Sequence, residues 1–195
     1  CYLKIDNIFC VSRLTREGSG TILIEAAMMA RNIAPGLNRK FAAMGWDFIP
    51  EELWNEERQT AYNAVDYDSE VIIKGFDING KAITAAMANA MEAGVEEDIS
   101  FSRMDMRKFR ADESNGIIIT NPPYGERIGD KEAIHKIYAR LKDILEKDPT
   151  WSLFMITTDR EVEKIFDRKA DRRRKLYNGR LQTTYYQFHG QKILK

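Results

Sequence analysis

Short apolar runs rich in β-branched residues alternate along the chain with longer stretches whose apolar positions recur at helical spacing, the pattern of strands alternating with helices. Thr21 to Asn32 is apolar nearly all round and reads as a helix buried against a sheet. Val71 to Phe76 reads as a strand ending at Asp77. Asn79 then caps a helix whose apolar face is Ile83, Ala86, Met87, Ala90 and Met91, with Gly94 placed to stop it. Ile99 to Met104 is the next strand, closing at Asp105, and Gly116 to Thr120 a third, closing at Asn121. Asp130 to Lys147 predicts a long helix with Ile134, Ile137, Tyr138, Leu141, Ile144 and Leu145 on one face. A strand from Trp151 to Thr157 and a short helix near Arg160 to Phe166 follow. Arg174 to Tyr177 and Leu181 to Phe188 then form a hairpin turning through Asn178-Gly179. Between the first helix and Val71, residues 33–68 hold Pro35, Gly36, Trp46, Trp54 and mixed charge, with a helix from Pro50 to about Val65. This stretch is read as an insertion covering one edge of the domain. The whole pattern predicts a Rossmann-like α/β fold, mainly parallel, with an antiparallel strand at its C-terminal end and helices on both faces.

Composition narrows the partners. At 195 residues the chain fits one domain with a real core. Thirty basic residues balance thirty acidic ones, so no global field announces a polyanion, and affinity for nucleic acid must come from local patches or another domain. The basic run Lys169, Arg172, Arg173, Arg174 and Lys175 has Asp167 and Asp171 beside it and reads as a solvated face rather than a phosphate track. Cys1 and Cys10 offer neither a disulfide framework nor metal-ligand spacing and fit a reducing, cytoplasmic setting. His135 and His189 lack metal-like partners in the sequence, and no metal is expected. No apolar run is long enough to span a bilayer. The chain opens at Cys rather than Met and is read as a piece of something longer.

Chemistry gathers at strand ends, where open α/β sheets bind their ligands. Asn121-Pro122-Pro123-Tyr124 follows the most strand-like run in the chain. An amide there can grip an exocyclic amine but not deprotonate it, the two prolines remove backbone donors and leave carbonyls free to accept, and Tyr124 can stack on a base. Gly18-Ser19-Gly20 opens the first helix, where glycines admit a ligand and free amides favour a carboxylate or phosphate. Asp77 can accept from both hydroxyls of a ribose, and Asp105 from an adenine amine. The third glycine of G-x-G-x-x-G is missing after Gly20, which argues against a nicotinamide dehydrogenase.

The tetrapeptide Asn121 to Tyr124 resembles motif IV of the amino-methyltransferases that use S-adenosylmethionine. The longer string Asn121-Pro122-Pro123-Tyr124-Gly125-Glu126-Arg127 is similar to that of the THUMP-associated RNA guanine-N2 methyltransferases, often labelled N6-adenine-specific DNA methylases. In the resembling family Gly18, Ser19 and Gly20 match the end of motif I, Asp77 motif II, Asp105 motif III and Asn121 to Tyr124 motif IV, and Asn32 to Leu37 matches a further family stretch. The resemblance covers roughly residues 18–190. It implies a class I methyltransferase fold with a seven-stranded sheet, bound S-adenosyl-L-methionine held by Gly18, Ser19, Gly20, Asp77, Asp105 and Asn121, and catalysis by Asn121, Pro122, Pro123 and Tyr124. It further implies an RNA substrate, ribosomal before transfer RNA, and an upstream RNA-binding domain of THUMP type. Methylation of adenine N6 in DNA stays open, since the motif alone does not separate the two amines. So does a non-catalytic RNA-binding or cofactor-sensing role. The family pattern departs at one place, where a strand and Asp-Pro-x-Cys should directly precede the glycines and Arg13 to Glu17 intervene instead, after Ile8 to Val11. Residues 1–17 are therefore expected to be a remnant of an upstream segment, discontinuous with a catalytic domain over 18–195.

Overall fold

The apolar runs become strands β1 (Ile8–Val11), β2 (Ile73–Asp77), β3 (Ile99–Arg103), β4 (Ile117–Thr120), β5 (Ser152–Thr157), β6 (Arg172–Asn178) and β7 (Leu181–Phe188). The periodic stretches become helices α1 (Thr21–Ala30), α2 (Glu51–Asn63), α3 (Gly80–Ala93), α4 (Asp130–Lys147) and α5 (Val162–Ile165). The structure is a computed structural model and describes residues 8–11, 19–69, 71–111, 114–122 and 130–191. Among the described residues the strands form one sheet in the order β3-β2-β1-β4-β5-β7-β6. Neighbours from β3 through β5 pair in parallel, and β7 runs antiparallel to both β5 and β6.

The centre of the sheet corrects one expectation. Ile8–Val11 lies between β2 and β4, with Cys10 opposite Gly75 on one side and Ile119 on the other. These residues are thus part of the sheet and no remnant apart from it; the central strand that Arg13 to Glu17 seemed to displace is this short run. The expected discontinuity falls on residues 12–18, outside those described.

Strand alternation divides the core in two. Ile118 joins Phe76, Leu153, Met155, Tyr186 and Phe188 under α4 and α5. Its neighbour Ile119 joins Ile73, Ile99 and Phe101 under α1 and α3. Adjacent residues of one strand thus serve opposite layers, which is how the sheet carries helices on both faces. The stripe on α4 is buried as its spacing predicts, from Ile134 through Leu145, and the Tyr138 hydroxyl, within that core, shares a 2.9 Å hydrogen bond with Thr157. No helix among the described residues is long and apolar enough to cross a membrane.

α1 packs one face against the sheet, burying Leu23, Ile24 and Ala27, and leaves Met29 72% exposed. On α3 the buried stripe is Ala82, Ala86 and Ala90, while Met87 and Met91 face solvent. The helical period holds and Ala86 and Ala90 are buried as their spacing predicts, but the stripe is turned toward Ala82 and away from the two methionines. Close approach to the sheet leaves room for methyl groups only, and this overrides the larger apolar surface the methionines could bury. α1 also lies close to the sheet, because a Cβ at Gly75 on β2 would meet Leu23 Cδ1 at 2.6 Å and Phe101 Cδ1 of β3 at 2.9 Å.

The insertion places Pro50 at the N-cap of α2, and α2 buries none of its residues. It is tied back where it ends, Asn32 Nδ2 donating to Ala64 O at 2.8 Å and Asp66 N to Arg31 O at 2.8 Å. In the hairpin Asn178 pairs with Leu181, so the two-residue loop is Gly179-Arg180 rather than Asn178-Gly179. Glycine at the first loop position, with φ +60, suits a II′ turn.

Filling the space over β2 tests this packing. Gly75→Val is expected to lower stability by about 1–3 kcal/mol, the usual cost of overpacking a core, measured by urea unfolding. An unchanged midpoint would mean that α1 does not sit this close to β2.

Candidate active site

Helix α1 starts with no side-chain cap. Its N-cap is Gly20, left-handed at φ +71 and ψ 6, and Leu23 N and Ile24 N both donate to Gly20 O at 3.0 Å. The amides ahead of Leu23, at Gly20, Thr21 and Ile22, come before the first intrahelical bond and make that end attractive to an anion. A Cβ at Gly20 would lie 2.8 Å from Ala86 Cβ, so conformation and space both demand glycine there. Ser19 precedes it, its hydroxyl 2.6 Å from that of Thr21, and its carbonyl accepts from Asn89 Nδ2 of α3 at 2.9 Å.

Asp77, the last residue of β2, is 3% exposed and accepts from Asn79 N at 2.6 Å. Ser19, Gly20, Thr21, Asp77 and Ile83 share the walls of one cleft. Two of the expected cofactor contacts, the glycine loop and the motif II acid, are thus brought together.

Asp105 lies outside the walls of that cleft and is already engaged. It caps the 3-10 turn Met106–Lys108 by accepting from Arg107 N at 3.0 Å. The Arg107 guanidinium also grips both carboxylate oxygens, Nε at 3.0 Å from each and a terminal nitrogen pairing with Oδ2. This hydrogen-bonded guanidinium outweighs partial burial and holds the carboxyl down at about 2. An adenine amine would therefore have to share the carboxylate with Arg107.

Asn121 follows β4 immediately and is half-buried. Its Oδ1 is buried with no hydrogen-bond partner among the described residues, and Pro122 beside it is buried. Gly18, Pro123 and Tyr124 lie outside the described residues, as do Glu126 and Arg127. His135 is exposed and lies 3.7 Å from Asp159. Sequence reasoning missed Arg107 and Asn89. The first had a legible signal, a base two residues after the acid in a turn. The second had none short of the correct phase of α3, which places it one turn beyond Ala86.

The profile of the family described as RMKL-like, methyltransferase domain, matches residues 17–187. The Bacillus subtilis (strain 168) protein named "Putative RNA methyltransferase YpsC" is 41% identical over 171 residues, 88% of this chain and 44% of that protein. The "Ribosomal RNA large subunit methyltransferase K/L" of Shewanella frigidimarina (strain NCIMB 400) is 37% identical over 173 residues, 86% of this chain and 24% of that protein. Among solved structures, SMU.472, "a putative methyltransferase complexed with SAH", superposes with a TM-score of 0.86 at 41% identity, over 97% of this chain and 50% of that one. The chain spans half or less of the length of each of these relatives.

The Asp105–Arg107 pair has a pH signature. A carboxyl held below its ordinary value contributes stability above about pH 4, lost as pH falls through about 2. The Asp105 carboxyl resonance should titrate near 2 and move up toward 3.8 in Arg107→Ala. A midpoint that stays near 2 in that variant would show that something other than the guanidinium holds it.

Proposed function

Because the chain belongs to the RMKL-like methyltransferase domain family, we propose that it transfers a methyl group from S-adenosyl-L-methionine to the exocyclic N2 amine of a guanine in RNA, ribosomal RNA foremost. The observation that carries the chemical step is the buried Oδ1 of Asn121, which has no hydrogen-bond partner among the described residues. Leaving such an acceptor unsatisfied costs about 1–3 kcal/mol, and an exocyclic amine entering beside it supplies the missing donor. Asn121 Oδ1 and the carbonyl of Pro122 then accept the two amine hydrogens and turn the nitrogen lone pair toward the methyl group.

The chain's residues fit the cofactor. First-turn amides of α1 suit the carboxylate of its methionine tail, the bare Cα of Gly20 lets the ligand approach, and the Asp77 carboxylate accepts from ribose hydroxyls. The cofactor's sulfonium activates the methyl group, so neither a metal nor a strong base is needed, and transfer depends on alignment. SAH, bound in the related structure SMU.472, is what remains of S-adenosylmethionine after methyl transfer. Asp105 receives the adenine amine once Arg107 yields part of its grip. The target base leaves its stack to reach the site, and Tyr124 takes its face.

The names of the relatives favour RNA, and the balanced charge of this chain leaves most of the grip on RNA to an upstream domain of THUMP type. Cytoplasmic RNA is the matching setting. Since the orphaned acceptor serves any exocyclic amine, adenine N6 in DNA is the competing substrate.

Nucleoside mass spectrometry of cellular RNA and DNA decides between them. Loss of the gene should remove N2-methylguanosine from RNA, and the wild-type protein but not Asn121→Ala should restore it. Loss of N6-methyladenine from DNA instead would overturn the substrate. In vitro, Asn121→Ala is expected to lower turnover on the order of 100-fold, as removal of one group aligned with a transition state does, with cofactor affinity little changed. Asp77→Ala should weaken the cofactor by about 1.5–3 kcal/mol; calorimetry showing unchanged affinity in a folded variant would remove Asp77 from the site.

A further inference from the structure

The glycine loop is held from outside as well as built from within. Asn89 sits on α3, 70 residues away in sequence, and its Nδ2 donates to Ser19 O at 2.9 Å in a part-buried bond. Asn89 lies one turn beyond Ala86, whose Cβ occupies the space beside Gly20. One helix therefore limits the loop twice, by a methyl group against the Gly20 Cα and by a hydrogen bond to the preceding carbonyl.

The peptide joining Ser19 to Gly20 is planar and trans, so the direction of Ser19 O fixes that of Gly20 N–H, which points the opposite way. A carbonyl released from Asn89 could swing, and its amide would swing with it. Amides at a helix start bind an anion only while they converge. We propose that Asn89 is a positioning residue for cofactor binding, which orients the Ser19–Gly20 peptide by holding the Ser19 carbonyl against α3. This rests on the reading that the adjoining cleft takes S-adenosylmethionine.

The distinguishing substitution keeps the shape of the side chain, removes its donor and adds no charge. In full-length protein, titrated with S-adenosylmethionine and with SAH by calorimetry, Asn89→Leu should bind about tenfold more weakly than wild type, a loss of the size of one hydrogen bond. Asn89→Ala should weaken binding to a similar degree, and both variants should melt within a few degrees of wild type. A packing role predicts a different order, with Asn89→Leu near wild type and Asn89→Ala impaired. Wild-type affinity in Asn89→Leu overturns the proposal, and so does unfolding of both variants, which would make the residue structural. If wild-type protein itself binds neither ligand, the proposed function fails first and this inference falls with it.

Discussion

The fold depends on a seam of residues with little or no side chain where α1 and α3 cross β2. Gly75 has no room for a Cβ under Leu23, Gly20 none against Ala86, and Ala27, Ala86 and Ala90 are almost wholly buried. Dispersion favours such contact because every atom finds neighbours at van der Waals distance, and glycine at these points lets backbone replace side chain as the packing surface. The functional consequence is geometric. Drawing α1 and α3 onto β2 puts the free amides of one helix, the start of the other and the Asp77 carboxylate around the same cleft.

Arg31 holds the opposite end of α1. Its Nε donates to both oxygens of Asp98 at 3.1 Å, one terminal nitrogen lies 2.6 Å from Oδ1, and the other donates to the carbonyls of Tyr67 and Ser69 at 2.8 Å. The Asp98 hydrogen bonds raise the Arg31 pKa further above its ordinary value, against some desolvation. Loss of such a partner would strand a carboxylate that is only 8% exposed, the costly way to break a buried pair. The same side chain closes the insertion, since residues 33–69 leave from the C-terminal end of α1 and return to its arginine. An excursion of that length is thereby kept from pulling on the helix whose other end forms the cleft.

Much of the arrangement could be read in the chain because strand ends and helix caps are local. Asp77, Asp105 and Asn121 sit where β-propensity gives way to turn chemistry, Asn79 caps α3 with the side-chain bond its type favours, and α4 buries the stripe its spacing marks. What escaped was set by contacts distant in sequence. Met87 and Met91 outrank alanine on any hydrophobic scale, and only the closeness of the sheet reverses that order. Ile8–Val11 is too short to announce itself as the centre of a sheet, a place it takes through pairing on both edges with residues more than sixty positions away. The reach of Arg107 to Asp105 was local and readable, yet an acid at a strand end looks free until its neighbour's side chain is placed.

The strand-end groups differ in what they have left to offer. Asp77 is buried and its Oδ1 holds the amide of Asn79, Asp105 is claimed by a guanidinium, and Asn121 alone presents a buried oxygen without a partner among the described residues. A carboxylate in the place of Asn121 would be an unpaired buried charge, and desolvation would drive it to take up a proton and lose its value as an acceptor. The amide keeps its acceptor at every pH because it does not titrate. A guanine amine is not basic and carries no proton that must leave before the new bond forms. In the proposed reaction a neutral acceptor that orients such an amine therefore serves transfer better than a base.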